Sequence, residues 1–87
     1  MYVILVYDID SKRVAKILKL CRRYLNWIQN SVFEGEITPN NLDRLVFEAS
    51  AIMDFNTDSL IIFKSRNEKW LEKEVVGLNK GDTGREL

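Results

Sequence analysis

Two short runs constrain this chain most: YVILVY at positions 2–7 and SLIIFK at positions 59–64. Side chains of a strand alternate between its two faces. Val3, Leu5 and Tyr7 therefore share one side of the first run, and Tyr2, Ile4 and Val6 share the other. In the later run Leu60 and Ile62 fall on one side, Ile61 and Phe63 on the other. Strands that are apolar on both faces need cover on both faces. What supplies that cover depends on how many helices the rest of the chain can form.

Asp10 or Ser11 suits a helix N-cap. Val14, Ile17, Leu18, Cys21, Tyr24 and Leu25 then recur at helical spacing, which predicts a helix over 11–25. The stretch from Trp27 to Ile37 is rich in aromatic and β-branched residues and reads as two short strands, 27–29 and 31–37, with a tight turn or bulge at Asn30-Ser31. Thr38-Pro39 puts a capping hydroxyl directly before a proline at the first helical position. Leu42, Leu45, Val46, Ala49, Ile52 and Met53 form the apolar stripe of this second helix, which ends by Asp54–Asp58. Val75 to Leu78 reads as a short fifth strand, and 79–87 as a polar, flexible tail outside a single domain of residues 1–78.

The order is β-α-β-β-α-β with an added C-terminal strand. It implies an α+β, ferredoxin-like fold with both helices on one sheet face. The opposite face is apolar as well, and no helix is left to cover it. A second copy of the chain is the economical cover, so the expected state is a homodimer. Asp8 has the parity of Tyr2, Ile4 and Val6, so a two-fold dimer through that face brings two Asp8 carboxylates towards one another.

At 87 residues the domain is small enough for self-association to matter to its stability. There is no His, which removes imidazole bases and histidine-ligated metals, and the lone Cys21 cannot form an internal disulfide or a zinc cluster. Cys21 lies on the apolar stripe and reads as an inert buried thiol. No apolar run reaches the length of a membrane span and no signal-type leader is present, so no membrane partner is expected and the setting reads as cytoplasmic. The zero net charge hides an asymmetry. Residues 1–33 hold six cations (Lys12, Arg13, Lys16, Lys19, Arg22 and Arg23) against Asp8 and Asp10, a net +4. Residues 34–54 hold five acids against Arg44, a net −4. The first helix is thus either a solvated charged face or a track for the phosphates of a nucleic-acid backbone.

Two carboxylates meeting across a symmetry axis repel unless protonated or bridged by a cation. Mg2+ suits such a place, because it keeps several waters and takes one or two carboxylates from protein. Metal-assisted phosphodiester hydrolysis is among the few hydrolytic chemistries open to a chain without His. The plain alternative is that Asp8 is a cap or turn residue. Asp10 and Ser11 already fill that role. Phe33 and Trp27 read as packing residues rather than base-stacking platforms, Tyr7 and Tyr24 as core or interface, and Ser31 as a turn or hydrogen-bonding residue with no base to make it a nucleophile.

V-Y-D-I (6–9), R-V-A-K-I-L (13–18), Q-N-S-V-F-E-G-E (29–36) and T-D-S-L-I-I-F (57–63) together resemble the Cas2 family of CRISPR-associated adaptation proteins. E-V-V-G-L (74–78) is similar to that family's late strand, which extends the partner's sheet. The resemblance implies a homodimer acting in spacer acquisition, bridging dimers of the Cas1 integrase and holding a double-stranded DNA protospacer. It implies a magnesium site at Asp8 as the catalytic position, and metal-dependent endonuclease activity on single-stranded RNA or on duplex DNA. It places Arg13 near the nucleic acid, and Ser31 and Phe33 beside the acidic site; Tyr7 and Asp10 are read as near-site or interface residues. One departure is Trp27, where the family pattern commonly has Arg; an apolar ring with one donor replaces a planar cation, which bears on nuclease activity more than on duplex binding. The alternatives are a stand-alone metal-dependent endoribonuclease and, more remotely, a ferredoxin-like sensing or RNA-recognition module. Neither an RNA-recognition signature nor a Gly-rich ligand loop supports the last.

Overall fold

The computed structural model describes residues 1–83. Its elements are β1 (Tyr2–Asp8), α1 (Val14–Tyr24), β2 (Asn26–Gln29), β3 (Val32–Glu36), α2 (Pro39–Ile52), β4 (Ser59–Ser65), a 3-10 turn at Glu68–Trp70 and a short α3 (Lys80–Thr83). The four strands form one antiparallel sheet in the order β2-β3-β1-β4, the split-βαβ order of a ferredoxin-like fold.

Both helices pack on one sheet face. Val3, Leu5 and Tyr7 of β1 and Phe33 of β3 meet Ile17, Leu20 and Cys21 of α1 and Leu42, Leu45 and Ala49 of α2 in one buried cluster. The i, i+3, i+4 spacing in α1 and i, i+3, i+7 in α2 put these side chains on single helix faces. Thr38 caps α2 as expected, its hydroxyl accepting the Asn41 N–H at 3.2 Å with Pro39 at the first turn. The Asn30-Ser31 link is the tight turn of the two alternatives expected, with Asn30 at φ 44°; a separate bulge inside β2 shifts the β2–β3 register between Trp27 and Gln29.

Three expectations are corrected. α1 begins at Val14, one turn later than 11–25 implied; Asp10 caps the turn that precedes it, its carboxylate accepting the Lys12 N–H at 3.0 Å and its carbonyl the amides of Arg13 and Val14. Residues 75–78 form no strand within the protomer. Lys73 to Val76 instead face Ile4, Ile28, Val32 and Glu34 on the sheet face away from the helices, across a cleft of about 320 Å³, and Lys73 pairs with Glu34. Third, α3 falls inside the stretch expected as a tail and packs on β2; a side chain at Gly81 would come within 2.9 Å of the Trp27 carbonyl oxygen. Residues 84–87 of that expected tail lie outside the described residues.

The C-terminal segment covers the β2–β3 side of the second face and leaves the β4 side open. Ile61 and Phe63 remain 52% and 56% exposed. They stand opposite Val6 and Ile4, so one contiguous apolar patch runs across β1 and β4. No helix of the described residues is long and apolar enough to cross a membrane.

Candidate metal and nucleic-acid site

Asp8 is the last residue of β1 and is exposed. It pairs with Ser59 in the final rung of the β1–β4 ladder, and alternation along β1 sets its side chain on the open face beyond Val6. Among the described residues no hydrogen bond or ion pair engages its carboxylate. No group of three or more His, Cys, Asp or Glu side chains able to hold a metal occurs among them either. At the end of β1 one protomer therefore presents the Asp8 carboxylate free, which fits a hydrated Mg2+ that takes one or two protein ligands and does not fit a fully protein-ligated ion.

The rung carrying Asp8 is held from outside by Asp58, a residue whose part is not visible in the sequence. Asp58, just before β4, is the buried polar residue among those described. Its Oδ1 accepts the Asp10 N–H at 2.9 Å and its Oδ2 the Asp54 N–H at 2.9 Å. The Arg13 guanidinium adds two bonds, Nε to Oδ2 at 2.7 Å and Nη2 to Oδ1 at 3.2 Å. Thr57 Oγ1 donates at 3.3 Å. The Arg13 bonds first, then the Asp54 and Asp10 amides, hold the Asp58 carboxyl well below the usual carboxylate range, against the opposing effect of burial.

A carboxylate with a lowered folded-state pKa contributes its full stability above the unfolded value, about 3.9, and loses it as pH falls towards the lower folded value. Thermal melts of the wild type are therefore expected to lose this contribution only below about pH 4. Asp58→Asn should melt lower at neutral pH and narrow its deficit as the pH falls through that acid range. An unchanged deficit at pH 3 and pH 7 would show that the Asp58 charge contributes nothing.

Arg13, expected in the phosphate track, is engaged in this cluster, and also reaches Thr57 Oγ1 at 3.2 Å. Tyr7, read as core or interface, and Phe33, read as packing by its own character but beside the acidic site by the resemblance, lie on the helix-covered face; their rings stack at 6.2 Å inside the core, away from the Asp8 side chain. Ser31 contributes its carbonyl, which accepts the Tyr7 N–H at 3.1 Å and ties the β2–β3 turn to the end of β1. Asp10 shapes the turn after β1 as described. Trp27 is half-buried against the core, and its indole N–H donates to the Asn30 carbonyl at 3.0 Å. It locks the hairpin turn. Cys21 is fully buried, and burial pushes its thiol up to about 11.

Lys16, Lys19 and Arg22 are exposed on α1, whose opposite side enters the core. Lys12 is exposed in the turn that follows Asp8. Arg23 is exposed too, but it is 3.4 Å from Glu48 and its guanidinium lies 5.6 Å from the centre of the Tyr24 ring. Tyr24 in turn donates its hydroxyl to Glu48 at 2.8 Å. Lys16, Lys19 and Arg22 thus occupy a different surface from Asp8: the outer side of α1, with Asp8 on the open sheet face behind it.

A sequence profile of the family described as CRISPR associated protein Cas2 matches residues 1–73. The chain is 50% identical to a CRISPR-associated endoribonuclease Cas2 of Fusobacterium nucleatum, covering 95% of this chain and 83% of that one. It is 46% identical to the protein of the same name from Thermotoga maritima, with 97% of each chain covered. Among solved structures, a Cas2 chain superposes with a TM-score of 0.84 at 40% identity, covering 92% of this chain and 90% of that one. Streptococcus pyogenes Cas2 superposes with a TM-score of 0.78 at 30% identity, covering 88% of this chain and all of that one.

Proposed function

The chain belongs to the CRISPR-associated Cas2 family, and from that membership we propose that it is a homodimeric, cytoplasmic endoribonuclease that cuts RNA with Mg2+ held between two Asp8 carboxylates. The observation that carries this reading is the free, exposed Asp8 carboxylate at the end of an apolar sheet face. An apolar patch of this kind marks an association surface, and a patch that packs on its own copy makes a two-fold interface. Relatives at 46–50% identity carry the name endoribonuclease, which supports RNA as the substrate. Bound between the carboxylates, the ion would activate a water and offset charge on the phosphate under attack. The chain's own part is to present Asp8 on a fixed rung, with Lys12 in the adjacent turn free to meet a phosphate.

A second role is favoured by the separation of the two surfaces. Lys16, Lys19 and Arg22 face solvent on α1, away from Asp8, so a duplex backbone can be held there without use of the carboxylate. This is the arrangement wanted in a subunit that bridges Cas1 integrase dimers on a double-stranded protospacer. Lys16→Glu with Lys19→Glu is expected to weaken duplex binding at least about tenfold at low salt, and to lower the slope of log K against log salt by roughly 2. Asp8→Ala should leave both quantities unchanged. An unaltered salt slope in the double variant would remove α1 from the nucleic-acid surface.

A further inference from the structure

Asp58 sits where a stability role alone gives a poor account of it. A side chain with no exposed surface, at the rim of the sheet, holds a charge that must be desolvated. Buried ion pairs of this kind are often no more stabilising than apolar packing of the same volume, and their best-attested use is to fix one arrangement. What this pair fixes is legible in its partners. β1 leaves the sheet after the Asp8–Ser59 rung through the turn at 9–13, and the chain enters β4 through the loop at 54–58. Oδ1 of Asp58 holds the first segment at the Asp10 N–H, and Oδ2 holds the second at the Asp54 N–H. Arg13 spans both oxygens and fastens the start of α1 to the same point. Strand ends open locally unless tied. Here one carboxylate ties both strands immediately outside the rung that carries Asp8.

We propose that Asp58, acting with Arg13, is a positioning residue for the Asp8 centre: the pair sets where the Asp8 carboxylate stands, and Arg13 serves this purpose rather than phosphate binding. The inference rests on the reading of Asp8 as the metal ligand. Asp58 directly precedes Ser59, the rung partner of Asp8 on the neighbouring strand, and acts through the backbone, as outer partners of a metal ligand do.

The test uses the full chain, Mn2+ alone as the probe ion followed by water-proton relaxation, and amide hydrogen exchange read residue by residue. Asp58→Asn and Arg13→Lys are expected to fold and sediment as the wild type does. In both, the Asp10 and Asp54 amides should exchange at least about tenfold faster while those of Val3–Leu5 keep their protection. Mn2+ affinity should fall about tenfold in Asp58→Asn, and less in Arg13→Lys, which keeps the charge without the two-pronged geometry. A purely structural role would lower the melting temperature and leave the Mn2+ affinity of the folded protein intact. Intact affinity in both variants, with Asp8→Ala abolishing it, would overturn the positioning role alone. Intact affinity in Asp8→Ala would instead overturn the metal reading and take this inference with it. Should Asp58→Asn not fold, Arg13→Lys and Arg13→Gln distinguish the same outcomes.

Discussion

Asp8→Ala is expected to lose metal-dependent RNA cleavage by at least about 100-fold while melting at the wild-type temperature. The two halves of this result have separate causes. Asp8 is exposed and its carboxylate makes no hydrogen bond or ion pair among the described residues, so truncating it removes no such internal bond. A surface change of that kind alters stability by about 0.5 kcal/mol or less. The proposed chemistry relies on Asp8 because the chain has no His and the neighbouring carboxylates of Asp10, Asp54 and Asp58 all accept backbone N–H bonds. Asp8→Asn, which keeps the shape and removes the charge, should fail as completely. Asp8→Glu moves the charge by one methylene and should retain part of the activity. Raising Mg2+ restores none of the alanine variant's cleavage, because its binding group is gone. Cleavage by highly purified Asp8→Ala at the wild-type rate would remove this residue from the chemistry.

The second large effect concerns the open sheet face. Ile61→Glu with Phe63→Glu is expected to raise the dimer dissociation constant at least about 100-fold and to abolish cleavage with it. Both side chains are more than half exposed in the protomer, so the monomer keeps its core, its four strands and its helix packing. In a two-fold interface each substitution occurs twice, and each loses burial worth roughly 1.5–3 kcal/mol per apolar side chain before like-charge repulsion is added. Phe63 stands opposite Ile4 and Ile61 opposite Val6, so the new charges would lie in the middle of the apolar patch. Sedimentation over a concentration series reads the outcome directly. A variant that sediments and cleaves as the wild type does would show that this face is not where copies meet.

The fold is open to inspection in the sequence because its signals are local. Alternation in β1 and β4 gives the faces of the sheet, and Thr38-Pro39 gives the start of α2 to the residue. Leu20, a core residue of α1, is hidden among the cations on either side of it. The start of α1 is displaced because a turn capped by Asp10 precedes the helix, and the Asp10 N–H is held by Asp58, 48 residues away, a contact the sequence does not display. Similar sequence distance conceals the role of Arg13. On a helix its charge groups with Lys16 and Lys19; in the fold it belongs to Asp58. The family resemblance puts Phe33 beside the acidic site, yet strand alternation sends it to the helix side with Tyr7. The fifth strand fails for a different reason. Val75 and Val76 have strand-forming side chains, but within one protomer they join neither edge strand, β2 nor β4, and lie across the sheet face instead, with Val76 87% exposed.

Everything proposed for Asp8 depends on two copies meeting face to face with their β1 ends together. Spin labels at Ser59→Cys, the rung partner of Asp8, measure this most directly, since Cys21 is fully buried and stays unlabelled. The account requires one inter-label distance in the dimer, shorter than the 33 Å length of a single protomer. A dimer whose labels lie farther apart than that length, at opposite ends of the assembly, would contradict it.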